Sequence, residues 1–186
     1  LERSNFGVFP FFHTDAVQAV NYLDLGVEKL GIDMLSLSGS KISGAGRRLA
    51  GAGFGHAEAG RVGVLYKKKS VLLENIFGGG DQEQGLRPGT ENLSAILKFS
   101  PALAAAQKAK EKESQRLTKL RDYFFNKLNK LAYSHILKNV GMLVNGDMEN
   151  RLPNNVSITI PKIPSDLLVI ELSAKDIMCS SKSACK

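Results

Sequence analysis

The chain has 186 residues, with 25 Lys and Arg against 18 Asp and Glu, a formal charge of +7, 43% hydrophobic residues and two cysteines. That is enough chain for one core, or for a core with a small second domain; no apolar run suits a bilayer span, and two cysteines are too few for a disulfide framework. The basic excess argues only weakly for nucleic acid, because Lys108, Lys110, Lys112, Arg116, Lys119 and Arg121 alternate with Glu111 and Glu113 as on a solvated helix face.

No His, Cys, Asp or Glu lies between Cys179 and Cys185 to make a metal site with them, so no metal is expected. The cysteine usage suits a reducing compartment, the cytoplasm or an organelle matrix. Leu1-Glu2-Arg3-Ser4 has neither an initiator Met nor a signal pattern, and reads as the interior of something longer.

In chain order, Phe11-Phe12-His13-Thr14-Asp15 predicts a short buried strand that delivers Asp15 at its C-terminal end. Residues 16–30 read as a short helix or turn. Asp33 to Ser38 predicts a second buried strand, running into Gly39-Ser40-Lys41, and Val62 to Tyr66 a third. Strands separated by helical or loop segments imply α/β organisation with a mostly parallel sheet, in which functional groups gather at the C-terminal strand ends. Asp15 and Lys41 both fit that placement. The Gly- and Ala-rich stretch 45–60 reads as a long loop. Gly46 to Gly51 has P-loop glycine spacing but lacks the Lys-Ser/Thr that grips phosphate.

Residues 91–131 predict helix, with Pro101 opening a new one at its first turn. Leu117, Leu120, Phe124, Leu128 and Leu131 recur at helical spacing as a core stripe. Strands are expected over 141–145 and 155–160. A helix capped by Ser165 is expected over 165–174, and a short closing strand at Ile177-Met178-Cys179, with Cys179 a buried structural thiol. This second set has the character of a small α+β domain.

Four constellations could carry chemistry. A lysine at a strand end among small residues, Ser38-Gly39-Ser40-Lys41, can be held where burial makes its amine available as a nucleophile, and the flanking hydroxyls can accept a phosphate; the ordinary alternative is a surface lysine after a turn. Asp15 with Gln18 offers a carboxylate for a pyridine nitrogen and an amide for a ring oxygen; Asp15 could equally cap a helix. Gly78-Gly79-Gly80 through Arg87-Pro88-Gly89-Thr90-Glu91-Asn92 lets backbone approach a ligand or a partner chain closely, with Thr90 either capping a helix or reaching an anion. Ser180 to Cys185 sets a thiol among small polar residues near Lys182 and Lys186, a bias toward thiolate; the alternative is an ordinary free cysteine.

Together these pieces resemble the cysteine desulfurases of the iron–sulfur-assembly type, members of the fold-type-I pyridoxal-phosphate superfamily. The resemblance rests on His13-Thr14-Asp15-Ala16-Val17-Gln18, on Ser36-Leu37-Ser38-Gly39-Ser40-Lys41, on Gly78-Gly79-Gly80 with Gln84 to Asn92, and on Ser181-Lys182-Ser183-Ala184-Cys185. It implies an α/β fold, the later part of a fold-type-I large domain followed by a small α+β domain. Residues 1–92 would belong to the cofactor-binding domain, 93–131 to connecting helices, and 132–186 to a small domain carrying the catalytic-cysteine loop.

The resemblance also implies pyridoxal 5'-phosphate as cofactor and L-cysteine as substrate. Lys41 would carry the cofactor covalently, Asp15 would pair with its ring nitrogen and Gln18 with its ring oxygen. Ser38 would bind its phosphate, with Ser40 in the phosphate-binding position before the lysine, and Thr90 would reach the phosphate site of the partner subunit in a homodimer. Cys185 would take up sulfur as a persulfide, leaving L-alanine, and pass it to iron–sulfur scaffold or tRNA-thiolation acceptors. No membrane and no direct nucleic-acid contact is expected.

The chain departs from the family pattern in several places. Ser40 stands where the family has His, residues 45–60 are inserted beside the lysine, and Asp81 is an extra residue after the glycines. The histidine that stacks on the cofactor and the main phosphate turn are expected upstream of this chain, and the arginine for the substrate carboxylate beyond Lys186, so that role is not given to Arg87. These departures leave two alternatives open: a catalytically inactive remnant acting at most as a partner-binding module, and a related selenocysteine lyase.

Overall fold

The computed structural model describes residues 10–42, 62–132 and 141–182. The chain divides into two compact units, Leu1–Glu113 and Ser114–Lys186. The expected loop 45–60 and the segment Ser183 to Lys186, with Cys185, lie outside the described residues.

The first unit is built on a three-stranded sheet in the order β1-β2-β3. Strand β1 (His13–Asp15) pairs parallel with β2 (Met34–Ser38), setting Asp15 beside Ser36, and β2 pairs antiparallel with β3 (Gly63–Lys67), setting Ser38 beside Gly63. The pairing among the described strands is therefore mixed. Side chains alternate across a strand, so Leu35 and Leu37 point to one face and Ser36 and Ser38 to the other. The Leu face is the core: Leu35 and Leu37 are buried together with Ala16, Val20, Ile32 and Ile42. The expected burial of the first strand is not found. Phe11 and Phe12 are 55% and 57% exposed, and among the described residues the three-residue β1 that follows them pairs only with β2.

Asp33 fastens the end of the sheet where β1 and β2 begin and β3 finishes. Its Oδ2 accepts the Phe12 amide at 2.9 Å and its Oδ1 pairs with Lys68 Nζ at 2.9 Å. Between β1 and β2 the chain makes two overlapping turns, in which Val20 and Leu23 donate to the carbonyls of Ala16 and Ala19. A single helical turn follows, α1 (Val27–Leu30), ended by Gly31 at φ +64°, a left-handed position that favours glycine.

Helix α2 (Leu93–Ala132) runs unbroken through Pro101, which does not start a new helix as its position suggests. The reason is packing. Ala95, Phe99, Ala102 and Ala106 recur at three- and four-residue steps on both sides of the proline and are all buried. One missing backbone bond at an exposed ring is offset by a continuous buried face. The start of α2 is capped by Asn92, whose Oδ1 accepts the Ala95 amide at 3.1 Å; Thr90 does not fill that role.

Asp24 ties the turn region to α2, contacting Lys29 at 3.1 Å and Lys110 at 3.3 Å. The Lys29 ammonium, the Gly26 amide and the Lys110 ammonium hold its carboxyl down at about 2, against an ordinary 3.8. A carboxyl depressed in the folded state adds stability above its unfolded value, and loses it as pH falls through the folded one. The contribution is thus complete above 3.8 and fades toward about 2. Asp24→Asn is expected to lower the melting temperature slightly at neutral pH, by little because exposed pairs contribute little, and the gap to the native chain is expected to close as pH falls from 3.8 toward about 2. Melting curves against pH at low salt check this.

In the second unit, β4 (Leu143–Val144) pairs antiparallel with β5 (Ile158–Thr159), and α3 spans Ser165–Ser173. Pro164, not Ser165, is the N-cap of α3, without a side-chain cap bond. Phe125 is 2% exposed and lies under the Arg151 guanidinium, 5.4 Å from its ring centre. Of the expected stripe on α2, Leu117 and Leu128 are half-buried while Leu120, Phe124 and Leu131 are exposed, and it is the neighbouring Phe125 that is buried. Residues 177–179 form no strand, and Cys179 is an exposed free thiol rather than a buried one.

Candidate active site

Parallel pairing brings the C-terminal ends of β1 and β2 to the same edge of the sheet. Asp15 closes β1 beside Ser36, and Ser38 follows on the same face about 6–7 Å further along β2. Directly after it, Gly39–Lys41 forms one 3-10 turn. Asp15, Ser38 and the turn carrying Lys41 therefore lie at one strand-end edge although 26 positions separate Asp15 from Lys41.

The local backbone explains the convergence. Asp15 Oδ1 accepts the Val17 amide at 3.0 Å, a tight Asx turn that reverses the chain at the strand end. The Ala16 amide donates to the Ser36 carbonyl at 3.0 Å, extending the strand contact by one residue. On β2, the Gly39 amide donates to the Val62 carbonyl at 2.7 Å, and buried Ile42 closes the turn on the Gly39 carbonyl at 3.2 Å. Ser38 and Ser40 hydroxyls are 2.9 Å apart. His13 Nε2 and Ser36 Oγ are joined at 2.8 Å on the same face.

Asp15, Gln18, Ser40 and Lys41 are exposed and Ser38 is half-buried. The burial expected around Lys41 is therefore absent among the described residues. Gln18 lies in the turn just after Asp15. Thr90 is exposed and belongs to a separate loop, 78–92. Cys185 lies outside the described residues.

That loop is packed against itself rather than open. A Cβ on Gly79 would collide with the Pro88 ring, and Gln82 Oε1 accepts the Gly89 amide at 3.1 Å. The close approach that the glycines permit is thus to Pro88 of the same loop. Gly79→Ala is expected to push the loop open at a cost of about 1–3 kcal/mol. Faster limited proteolysis between residues 78 and 89 checks this.

Two polar residues at this edge carry no role in the sequence reading. Asn21 is 7% exposed, and its Nδ2 donates to the Lys41 carbonyl at 2.7 Å. Gln107 of α2 donates from Nε2 to the carbonyls of Val20 at 2.7 Å and Leu23 at 3.1 Å. The available signal was Gln107 itself, a lone polar residue after Ala104-Ala105-Ala106 on the buried face. Asn21 had no periodic pattern around it.

The donor set fits pyridoxal 5'-phosphate. A carboxylate accepts from a protonated ring nitrogen, paired serine hydroxyls donate to phosphate oxygens, and a primary amine condenses with an aldehyde. Among the described residues no group of three or more His, Cys, Asp or Glu is arranged for a metal ion, and no helix is long and apolar enough to cross a membrane.

Known proteins resemble the chain over nearly its whole length. The chain is similar to "Cysteine desulfurase IscS" of Dictyoglomus turgidum, 33% identical over 94% of this chain and 39% of that one. It is also similar to "Cysteine desulfurase IscS" of Methanosarcina thermophila, 36% identical over 94% of this chain and 38% of that one. Among solved structures, a NifS-like protein from Rickettsia africae superimposes with a TM-score of 0.75 at 27% identity, over 93% of this chain and 42% of that one. The chain thus spans well under half the length of the relatives it matches. The class-V aminotransferase model matches residues 10–186, so the chain belongs to that family.

Proposed function

We propose that this chain is the part of a cysteine desulfurase that supplies the cofactor lysine and the sulfur-accepting cysteine. The protein would convert L-cysteine to L-alanine and hold the sulfur as a persulfide on Cys185. The observation that supports this most is the convergence of Asp15 with the Ser38–Lys41 turn at one end of a parallel strand pair.

In this reading Asp15 holds the ring nitrogen of pyridoxal 5'-phosphate, and Gln18 donates its amide to the ring oxygen. Ser38 and Ser40 donate hydroxyl hydrogens to the phosphate, and Thr90 does so across a homodimer. Lys41 takes the covalent attachment and afterwards moves protons at the substrate carbon. The bound cofactor supplies an electron sink for negative charge at that carbon. Cys185 Sγ, as a thiolate, is the nucleophile that accepts sulfur. Residues 132–186 act as the small domain that carries it. The acceptors are iron–sulfur scaffold or tRNA-thiolation proteins, in the cytoplasm or an organelle matrix.

The exposure of Asp15, Gln18 and Lys41 supports a second reading, a catalytically inactive partner-binding remnant. The test supplies pyridoxal 5'-phosphate with L-cysteine or L-selenocysteine, and measures alanine and protein-bound sulfur. Desulfuration is expected with L-cysteine, with Cys185→Ser losing the protein-bound sulfur. No alanine from either substrate favours the remnant, and alanine from L-selenocysteine alone favours a selenocysteine lyase.

A further inference from the structure

We infer that Asn21 is a positioning residue for Lys41, bracing the lysine turn from the loop that follows Asp15. The inference rests on the cofactor reading of Lys41 and adds to it a residue that fixes where the amine stands.

Asn21 sits directly after Val20, which is fully buried in the core of the first unit. The carbonyls on both sides of it are gripped from α2, because Gln107 Nε2 donates to Val20 and to Leu23. The backbone at Asn21 is therefore fixed from below. Its side chain spans the gap to the other strand end and donates to the Lys41 carbonyl at 2.7 Å. A buried amide that crosses between two loops can hold them in one relation only if its partner stays in place, because leaving a buried donor unmet costs more than the bond itself contributes.

Lys41 depends on such a brace. Its turn has three residues, is held at its start by the Gly39–Val62 bond, and closes through the Ile42 amide on the Gly39 carbonyl. Lys41 itself is exposed, and the buried Gly39 and Ile42 hold the ends of its turn, so the bond to its carbonyl adds a direct tie to the loop after Asp15. The hydrogen bond from Asn21 enters at the carbonyl of the residue whose amine would react, and it ties that carbonyl to the same loop that carries Asp15. The relation between the loop after Asp15 and the backbone that carries the Lys41 side chain is thereby set by Asn21 and, through it, by Gln107.

The test uses Asn21→Asp, close to isosteric but without a donor when ionised, and Gln107→Ala as a second variant should the first not fold. Val71→Ala, in a buried position outside the site, serves as the stability control. Two readouts are taken. The first is amide exchange at Ile42 without cofactor. The second is the fraction of chain trapped at Lys41 after incubation with pyridoxal 5'-phosphate and borohydride reduction, located by peptide mass spectrometry.

Asn21→Asp is expected to speed Ile42 exchange and to lower Lys41 trapping by about tenfold each, the order of one buried hydrogen bond. Exchange at Lys68, which donates to the Asp33 carbonyl at the opposite end of the sheet, should not change, and Val71→Ala should change neither readout. Faster Ile42 exchange with no preference for Lys41 in the native chain would support the brace and remove the cofactor reading. Unchanged Ile42 exchange and unchanged Lys41 trapping in a folded variant would overturn the inference, as would equal losses in Val71→Ala. If neither variant folds, rapid exchange of the Asn21 side-chain amide in the native chain overturns it and slow exchange supports it.

Discussion

Lys41→Ala is expected, on the proposed function, to lower alanine formation from L-cysteine by at least about a thousandfold, because it would remove both the attachment point and the proton carrier. Stability should hardly move. Lys41 is exposed, and the contact that fixes its turn runs from Asn21 to a backbone carbonyl that alanine retains. Loss of activity at an unchanged melting temperature is thus the signature of a chemical role. A variant that keeps more than about a tenth of the native rate would show that another amine serves.

Phe99→Ala carries the largest effect on folding. Phe99 is 7% exposed and is the only aromatic in the buried cluster with Leu35, Leu37 and Val20, among the described residues. Its neighbours on the same face of α2, Ala102 and Ala106, are too small to fill the void. A loss of about 3–5 kcal/mol is expected, against a typical domain stability of about 5–15 kcal/mol. Urea denaturation followed by circular dichroism measures it. A loss below about 1 kcal/mol would mean that α2 does not close the core of the sheet.

Much of the site's framework was readable before any coordinates. Alternation and short apolar runs located β2 and β3, and the strand-end rule pointed to Asp15 and Lys41 because parallel strands share an end. The α/β character of a fold-type-I enzyme follows from the same pattern and agrees with the family. Other features depend on tertiary choices that local pattern does not encode. Pro101 reads as a helix start, yet the alanine and phenylalanine face runs past it. The α2 stripe at Leu120 and Phe124 looked buried from spacing alone, whereas the face that packs is centred on Phe125. Asn92 rather than Thr90 caps α2, a choice between two competent residues that only chain direction decides. Cys179 shows the limit of composition: a free cysteine is usually buried, but this one follows a nine-residue helix with no buried side chain. Asn21 was invisible because its value lies in a contact 20 positions away.

The central claim is that the strand-end edge of Asp15, Ser38, Ser40 and Lys41 holds pyridoxal 5'-phosphate through Lys41. Titration of the chain with the cofactor, followed by visible absorbance in parallel with Lys41→Ala, tests it most directly. The account predicts a saturable new visible band in the native chain that is missing from the variant. No band in the native chain, or the same band in Lys41→Ala, would contradict it.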